Sequence, residues 1–220
     1  MEIKMKAIIF DMDGLMVDTE GLYFDTERII AKKFSKEVKD ETLWKMMGRK
    51  PVEAIEIFAK DLEINISVEE LLKMRDDLFV EKLKKELVPM PGLFDILDEF
   101  KDKIKLAIAT GSPDKFLQIV LDKLNLKSYF EVLQTSDEII NGKPNPEIYL
   151  RTMDKLQVLP SETVVLEDSS NGALAGVKAG CYTIAIPNEY TYKQDFSFVN
   201  YVAKNLFDGK EHIKKLTDLK

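Results

Sequence analysis

The sequence contains one cysteine and one histidine among its 220 residues. The single cysteine, Cys181, excludes an intrachain disulfide and a cysteine-rich metal cluster. The single histidine, His212, excludes catalytic triads and zinc sites that are based on several histidines, and we expect it to be a surface histidine on the last helix. Any chemistry must therefore be built from carboxylates, lysine, hydroxyls and the backbone.

Long hydrophobic runs are also missing. The start, MEIKMKAIIFDMDG, has an apolar run too short for the roughly 7–15-residue core of a signal peptide. No segment approaches the ~18 apolar residues of a membrane span. The net charge of −7 and the pI near 5.0 provide no general basic surface, which disfavours nucleic acid as a partner. We expect a cytoplasmic protein, monomeric by default, with neither membrane nor nucleic acid as a partner.

Short apolar, β-branched runs recur along the chain, and each ends in polar residues. Most show little polar alternation, which is typical of strands covered on both faces in a parallel sheet. Helical patterns separate them, so the sequence predicts an α/β fold with a doubly wound, mostly parallel, Rossmann-like sheet. The predicted strands are 6–10, 104–110, 130–135, 163–168, 181–186 and 201–206.

The stretch from about residue 19 to residue 84 interrupts this alternation, because its pattern is helical and contains no convincing strand. Ser67 and Glu70 have the spacing of a capping box that opens one of its helices. We therefore predict a small helical bundle inserted after the first strand. The predicted division is an α/β core of residues 1–17 and 88–220 with a helical cap domain of residues 18–87.

Two aspartates, Asp11 and Asp13, directly follow the first predicted strand. Ligands of parallel α/β sheets bind beyond the carboxyl ends of the strands, so both carboxylates are expected in the natural site. Two ionised groups so close repel each other, and a magnesium ion or a proton on one of them relieves the repulsion. Gly14 allows a tight turn and the close approach of a ligand. By itself the segment of residues 11–14 fits an acidic turn that closes a strand equally well.

Two further loops carry groups suited to a phosphate. The Thr110 hydroxyl and the Gly111 amide follow a strand and precede a helix, for which Ser112 is the predicted N-cap and Pro113 the first residue. Lys143 lies in a loop made rigid by proline and glycine, where it is a candidate clamp for a phosphate. Each of these features alone also fits an ordinary turn or a solvated lysine.

Adjacent acids, Glu167 and Asp168, follow a later strand and add hard oxygen ligands, while Ser169 or Ser170 is a candidate helix N-cap there. Carboxylates, a hydroxyl, a lysine and further carboxylates thus occur in order, each at the end of a predicted strand or in the loop beyond it. Coincidence does not explain such an order, and the sequence predicts that these groups form one site.

The motifs DMDG, ATGS, GKPNPEIY and LEDSSNG, in this order over nearly the whole chain, resemble the haloacid dehalogenase superfamily. The resemblance is to its phosphatase branch with a helical cap inserted after the first motif, which includes β-phosphoglucomutase-like and pseudouridine-5′-phosphatase-like proteins. It implies a phosphoric monoester hydrolase that acts on small phosphorylated metabolites, such as sugar or nucleoside phosphates.

The resemblance implies roles for individual residues. Asp11 would attack phosphorus and form an aspartyl-phosphate. Asp13 would be the general acid and then the general base, which requires a raised pKa. Lys143 would complete the catalytic group by neutralising the phosphate and Asp11. Phosphate would be bound by Thr110, Gly111, Ser112 and Lys143. The cofactor would be Mg²⁺, held by Asp11, the Asp13 backbone carbonyl and Asp168. Glu167 would be either an additional ligand or a residue that contacts the ligands without binding the ion.

The cap would select the substrate. Candidate contacts are Thr19, Glu20, Tyr23, Arg49 and Lys50. A β-phosphoglucomutase-type sugar-phosphate mutase is the alternative activity, but that enzyme has a histidine at the position of Tyr23 and an arginine at the position of Pro51. A non-enzymatic phospho-acceptor module is a distant alternative, because such a module gives no reason for Asp13 or the helical insertion.

Overall fold

The computed structural model describes residues 5–47, 49 and 51–217. These residues form two compact units. The first, called the α/β unit below, comprises the described residues of Met1–Asp18 and Val88–Lys220. The second, called the helical unit, comprises those of Thr19–Leu87. Within the described residues, no helix has the length and apolar character needed to cross a bilayer.

The α/β unit contains a six-stranded sheet, whose strands are β1 Ala7–Phe10, β2 Lys105–Ala109, β3 Val132–Gln134, β4 Thr163–Glu167, β5 Tyr182–Ala185 and β6 Tyr201–Val202. Their order across the sheet is β3-β2-β1-β4-β5-β6, and each of the described pairings is parallel. All residues of β1 and β4 are buried, because helices cover both faces of the sheet and leave no solvated side. The predicted α/β fold with a doubly wound parallel sheet is confirmed.

The α-helices fall into two sets. Those of the helical unit are α1 Glu20–Lys33, α2 Asp40–Met46, α3 Pro51–Asp61 and α4 Val68–Glu86. Those of the α/β unit are α5 Leu93–Phe100, α6 Asp114–Leu124, α7 Glu147–Leu156, α8 Ser170–Lys178 and α9 Leu206–Thr217. Short 3₁₀ turns lie at Lys127–Tyr129, Ser136–Glu138 and Pro160–Glu162.

The predicted start of α6 is wrong by one residue. Pro113 is the N-cap and Asp114 the first helical residue, whereas Ser112 was expected to cap the helix. The reason is that the Ser112 hydroxyl donates to Asp13 instead. The first helical amide, that of Asp114, donates to the carboxylate of Asp137 at 2.9 Å.

The strand order fixes where a ligand can bind. β1 lies between β2 and β4, with Ala7 opposite Lys105 on one side and opposite Thr163 on the other. The chain therefore reverses its direction of sheet growth at β1, and crevices form at such switch points beyond the carboxyl ends of the strands. The segments that follow β1, β2 and β4 meet at this edge.

The helical unit is held together by its own packing. The capping box is confirmed, since the Ser67 hydroxyl accepts from the Glu70 amide at 3.1 Å and the Glu70 carboxylate accepts from the Ser67 amide at 3.3 Å. α1 packs against α4, where the Tyr23 ring stacks on Phe79 with 3.8 Å between ring centroids. The Arg75 guanidinium lies 5.9 Å from the centre of the Tyr23 ring.

A buried carboxyl lies at this packed interface of α1 and α4. Glu27 is 3% exposed, and its Oε2 has no hydrogen-bond partner among the described residues. Burial raises the pKa of Glu27 to about 7. The positive charge of Arg75 opposes this rise, and the negative charge of Asp76 adds to it. The folded protein therefore holds a proton on Glu27 that the unfolded chain releases near its ordinary pKa of 4.5.

We expect the stability of the helical unit to fall as the pH rises from about 4.5 to about 7. Between these two pH values the folded state binds more protons than the unfolded state. The contribution of Glu27 to the stability is therefore fully present below about pH 4.5 and is lost as the pH rises through about 7. The Glu27 contribution is about 3.5 kcal/mol, since its pKa rises from 4.5 to about 7 and each pKa unit corresponds to about 1.4 kcal/mol. Trp44, the single tryptophan, lies in α2, so its fluorescence reports denaturation of this unit.

Glu27→Gln should flatten this part of the pH dependence, because the amide does not titrate. Glu56→Gln is the control, since Glu56 is an exposed acid of α3 in the same unit. Equal pH dependence in the wild type and in Glu27→Gln would contradict the assignment.

Candidate active site

Asp11 begins the candidate active site at the carboxyl end of β1. Its amide donates to the Leu166 carbonyl at 3.0 Å, so the backbone stays in register with β4 up to the point where the carboxylate leaves the sheet. The chain then turns at Gly14, whose φ of 77° favours glycine, and the Gly14 amide donates to the Val17 carbonyl. The Asp11 side chain is buried at this turn.

Lys143 reaches Asp11 from the loop that precedes α7. Its Nζ donates to Asp11 Oδ1 at 2.5 Å, to Glu167 Oε1 at 2.6 Å and to the Ala109 carbonyl at 3.1 Å. The loop is anchored by Glu147, whose carboxylate accepts from the backbone amides of residues 140 and 141. The ammonium thus joins the ends of β1, β2 and β4 at one point.

The charges at this point are unbalanced. Burial raises the pKa of Asp11 well above its usual value, Lys143 opposes that rise, and the Glu167 and Asp13 carboxylates add to it. Burial alone would lower the pKa of Lys143, but Asp11 and Glu167 outweigh it and hold that pKa well above its ordinary value. Lys143 is therefore charged, yet it offsets only part of the cost that burial and the neighbouring carboxyl groups impose on a charged Asp11. A bound cation would reduce the remainder.

Glu167 anchors Lys143. Its Oε1 accepts from Lys143 and from the Tyr149 hydroxyl at 2.8 Å, while its Oε2 accepts from the Ser169 amide and hydroxyl at 3.2 and 3.0 Å. Burial, and then Glu167, raise the pKa of Tyr149 well above its usual value, so its hydroxyl remains a donor. With both oxygens accepting two hydrogen bonds, Glu167 is better arranged to orient Lys143 than to bind a cation directly.

A cluster of carboxylates fits a hard divalent cation. Oxygens of Asp11, Glu167 and Asp168 lie within 4.8 Å of one another, and all three residues are buried. Hard cations such as Mg²⁺ and Ca²⁺ prefer oxygen ligands, so the donor set suits them in its chemistry. The Asn188 side chain contacts Asp168, since its Nδ2 donates to Asp168 Oδ2 at 2.8 Å.

Asp13 is held by the loop that follows β2. Its Oδ2 accepts from the Thr110 hydroxyl at 3.0 Å and from the Ser112 hydroxyl at 2.8 Å. Its Oδ1 is buried without a hydrogen-bond partner among the described residues, so an acceptor is left for a group that enters the site. Gly111 is exposed, and the space where its Cβ would lie is open for at least 4 Å. Its backbone can therefore be approached by a ligand.

The structure thus brings together the predicted residues of the α/β unit. Around Asp11 and Asp13 it gathers Thr110, Ser112, Lys143, Glu167 and Asp168 by direct contact or within one cluster. The hydroxyls of Thr110 and Ser112 contact Asp13, so their predicted role toward phosphate requires a change of hydrogen-bond partner.

The predicted substrate residues lie in the helical unit. Thr19 is buried and precedes α1, Glu20 is the first residue of that helix, and Tyr23 lies one turn later. Arg49 is exposed between α2 and α3, and its Nε donates to the Lys45 carbonyl at 3.3 Å. Lys50 lies outside the described residues. The roles of these five remain predictions.

Three residues that hydrogen-bond to the carboxylates of the site were not predicted from the sequence: Tyr149, Ser169 as a partner of Glu167, and Asn188. Tyr149 lies within the GKPNPEIY motif, so its spacing from Lys143 offered a signal. Asn188 follows β5 in a loop with no recognisable motif, and nothing in the sequence marks it.

Comparisons with known proteins identify the family of this chain. The profile of the haloacid dehalogenase-like hydrolase family matches residues 8–186. The phosphorylated carbohydrates phosphatase of Thermotoga maritima is 39% identical over 181 residues, which cover 80% of this chain and 82% of that protein.

Solved structures share the fold. A Thermotoga maritima protein provisionally described as a beta-phosphoglucomutase has a TM-score of 0.80 at 32% identity, with 98% of this chain and 100% of that chain covered. CbbY from Rhodobacter sphaeroides, in complex with phosphate, has a TM-score of 0.83 at 24% identity, with 92% and 95% covered, and shows the fold alone. Because the family model spans most of its length and the Thermotoga phosphatase is 39% identical to it, the chain belongs to the haloacid dehalogenase-like hydrolase family and is a phosphoric monoester hydrolase.

Proposed function

We propose that the protein is a Mg²⁺-dependent phosphatase of small phosphorylated metabolites, with carbohydrate phosphates as its main substrates, and that it works through an aspartyl-phosphate. The observation that carries the proposal is the contact of Lys143 with both Asp11 and Glu167 at the ends of β1 and β4. A buried carboxylate beside a fixed ammonium is arranged for attack on a phosphorus atom whose oxygens that ammonium stabilises.

In the first step an Asp11 carboxylate oxygen forms a bond to phosphorus, and the bond from phosphorus to the ester oxygen breaks. Asp13 donates its proton to that leaving oxygen, so a neutral alcohol departs. Lys143, together with Thr110 and the Gly111 amide, would hold the phosphoryl oxygens. In the second step Asp13 takes a proton from water, the water oxygen bonds to phosphorus, and the bond to Asp11 breaks to give inorganic phosphate.

The cation would be held by Asp11, Asp168 and the Asp13 backbone carbonyl, and when bound it would offset the charge that develops on the phosphoryl group. Glu167 would contribute by holding Lys143 in position beside the phosphoryl group. We further propose that the helical unit acts as the cap and sets substrate choice, through Thr19, Glu20, Tyr23, Arg49 and Lys50.

The name of the Thermotoga phosphatase favours carbohydrate phosphates, whereas the provisional mutase neighbour favours sugar-phosphate isomerisation as the alternative. A panel of hexose, pentose, nucleoside and short-acid phosphates separates them when inorganic phosphate and sugar-phosphate isomers are both measured, with Mg²⁺ and with EDTA. We expect Mg²⁺-dependent phosphate release with the highest kcat/KM on a carbohydrate phosphate. An isomerised product without phosphate release would identify a mutase, and a long-lived phosphoprotein without turnover would identify a phospho-acceptor.

A further inference from the structure

The loop that follows β5 contacts the candidate active site through one side chain, Asn188. Its Nδ2 donates to Asp168 Oδ2 at 2.8 Å and to the Gly14 carbonyl at 3.0 Å. Its Oδ1 accepts from the amides of Tyr190 and Thr191 at 2.8 and 3.1 Å. One amide group therefore joins the loop after β5 to the turns that follow β1 and β4.

The orientation of this amide follows from its partners. Backbone N–H groups can only donate, so the atom that faces Tyr190 and Thr191 must be the oxygen. A carboxylate and a carbonyl can only accept, so the atom that faces Asp168 and Gly14 must be the nitrogen. A reversed amide would lose all four hydrogen bonds at once, and the side chain is held in a single orientation.

Gly14 provides the space for this contact. A Cβ at Gly14 would lie 2.4 Å from Asp168 Oδ2 and 2.7 Å from Asn188 Nδ2. Both distances are far below van der Waals contact, so a larger residue at position 14 would displace one partner. The missing side chain at Gly14 therefore lets the carboxylate and the amide meet beside the turn that carries Asp11 and Asp13.

The loop itself is fixed at a second point. The Gln194 side-chain oxygen accepts from the Ser170 amide at 2.7 Å, at the start of α8, and the Ser170 hydroxyl donates to the Asp195 carbonyl at 2.7 Å. Thr191 is buried, and its hydroxyl accepts from the backbone N–H of Asn188 at 3.0 Å. Asn188 therefore presents its nitrogen from a segment that is anchored at Ser170, two residues after Asp168.

We propose that Asn188 is a positioning residue that orients the Asp168 carboxylate for binding of the divalent cation. The inference rests on the proposed function in its use of a cation at Asp168. A donor on one oxygen of a ligating carboxylate fixes the plane of that carboxylate, and such outer partners typically change metal affinity about 10–100-fold when removed. An amide does this without adding positive charge, whereas a lysine at the same place would repel the cation.

The two ends of Asn188 allow the proposed role to be separated from a role in loop folding. The oxygen organises the loop, and the nitrogen contacts Asp168. In Asn188→Ser the shorter hydroxyl can still accept from the loop amides, as serine does in such turns, but it cannot extend to Asp168. Asn188→Ala removes both functions. Asn200→Ala is the matched control, because the Asn200 side chain accepts from the Thr183 amide in another loop of the same unit and is exposed.

Binding of Mg²⁺ is measured on the full chain by isothermal titration calorimetry and by the rise of Tm with Mg²⁺ concentration, neither of which needs turnover. We expect Asn188→Ser and Asn188→Ala to weaken Mg²⁺ binding about tenfold or more. Asn200→Ala should bind Mg²⁺ like the wild type even where its Tm is lower.

Mg²⁺ affinity within twofold of the wild type in Asn188→Ser would overturn the inference. If Asn188→Ala fails to fold, Asn188→Ser still decides the matter, because it keeps the loop contacts. Absence of Mg²⁺ binding by the wild type would instead contradict the metal dependence in the proposed function, so the two failures are distinguishable.

Discussion

Asp11→Asn is expected to lower phosphate release from a carbohydrate phosphate by on the order of 10⁴-fold or more, as is typical when a covalent nucleophile is removed. The amide of asparagine cannot form the acyl-phosphate bond on which the proposed mechanism depends. The phosphate-binding groups remain, so part of the substrate affinity should remain as well. KM should therefore change much less than kcat.

The variant should fold. Lys143 keeps its 2.6 Å contact with Glu167 and its bond to the Ala109 carbonyl when Asp11 becomes neutral. The substitution also removes a carboxylate whose pKa burial raises, which means that the protein bears a cost to keep it charged. Tm is therefore expected near or above that of the wild type.

The mechanism is tested directly by trapping. Wild-type protein, quenched in acid during turnover, should carry a phosphate that hydroxylamine removes, and Asp11→Asn should carry none. Asp122→Asn is the control, because Asp122 is an exposed acid on α6 that pairs with Lys127 away from the site. Full Mg²⁺-dependent activity in Asp11→Asn would refute the covalent route.

Much of the site is predictable from the sequence because strand ends are predictable. The apolar runs of β1, β2 and β4 are each followed at once by a residue of the site, so Asp11, Thr110 and Glu167 could be assigned to one edge as soon as a parallel sheet was inferred. The fold class follows from the same runs. Residues whose role depends on hydrogen bonds within the folded protein are harder to assign.

Ser112 shows where the prediction failed. Its position before Pro113 is typical of a helix N-cap, yet its hydroxyl donates to Asp13 Oδ2 at 2.8 Å and the helix begins one residue later. Asn188 is the opposite case, since its role depends on a contact 20 residues distant from it in sequence, at Asp168. Local propensity contains no information about such a partner.

Gly172→Ala is the second substitution with a large expected effect, and helix propensity predicts the opposite sign. Gly172 lies in the first turn of α8, where alanine would ordinarily stabilise a helix by about 1 kcal/mol. Here a Cβ would lie 1.7 Å from Glu167 Oε1 and 2.3 Å from Oε2. The carboxylate has to move, although Lys143, Tyr149 and Ser169 all bind it in its present place.

We expect Gly172→Ala to destabilise the protein by about 3 kcal/mol, the combined order of an overpacked core and a weakened buried ion pair. Activity should fall on the order of 10²-fold in kcat, because Lys143 loses the partner that orients it and a displacement of about 1 Å has that cost in catalysis. Denaturant unfolding and steady-state phosphate release on the same preparation measure both effects.

The cause can be separated from a general disturbance of the helix. Gly209→Ala is the matched control in α9, because its Cβ would meet the flexible end of Ile186 at 3.1 Å, and its stability should stay within about 1 kcal/mol of the wild type. Glu167→Gln combined with Gly172→Ala should cost less than the sum of the two single variants, since both act on the same carboxylate. Strict additivity would show that Gly172→Ala does not act through Glu167, and a Gly172→Ala protein as stable and active as the wild type would show that displacing this carboxylate has no consequence for Lys143.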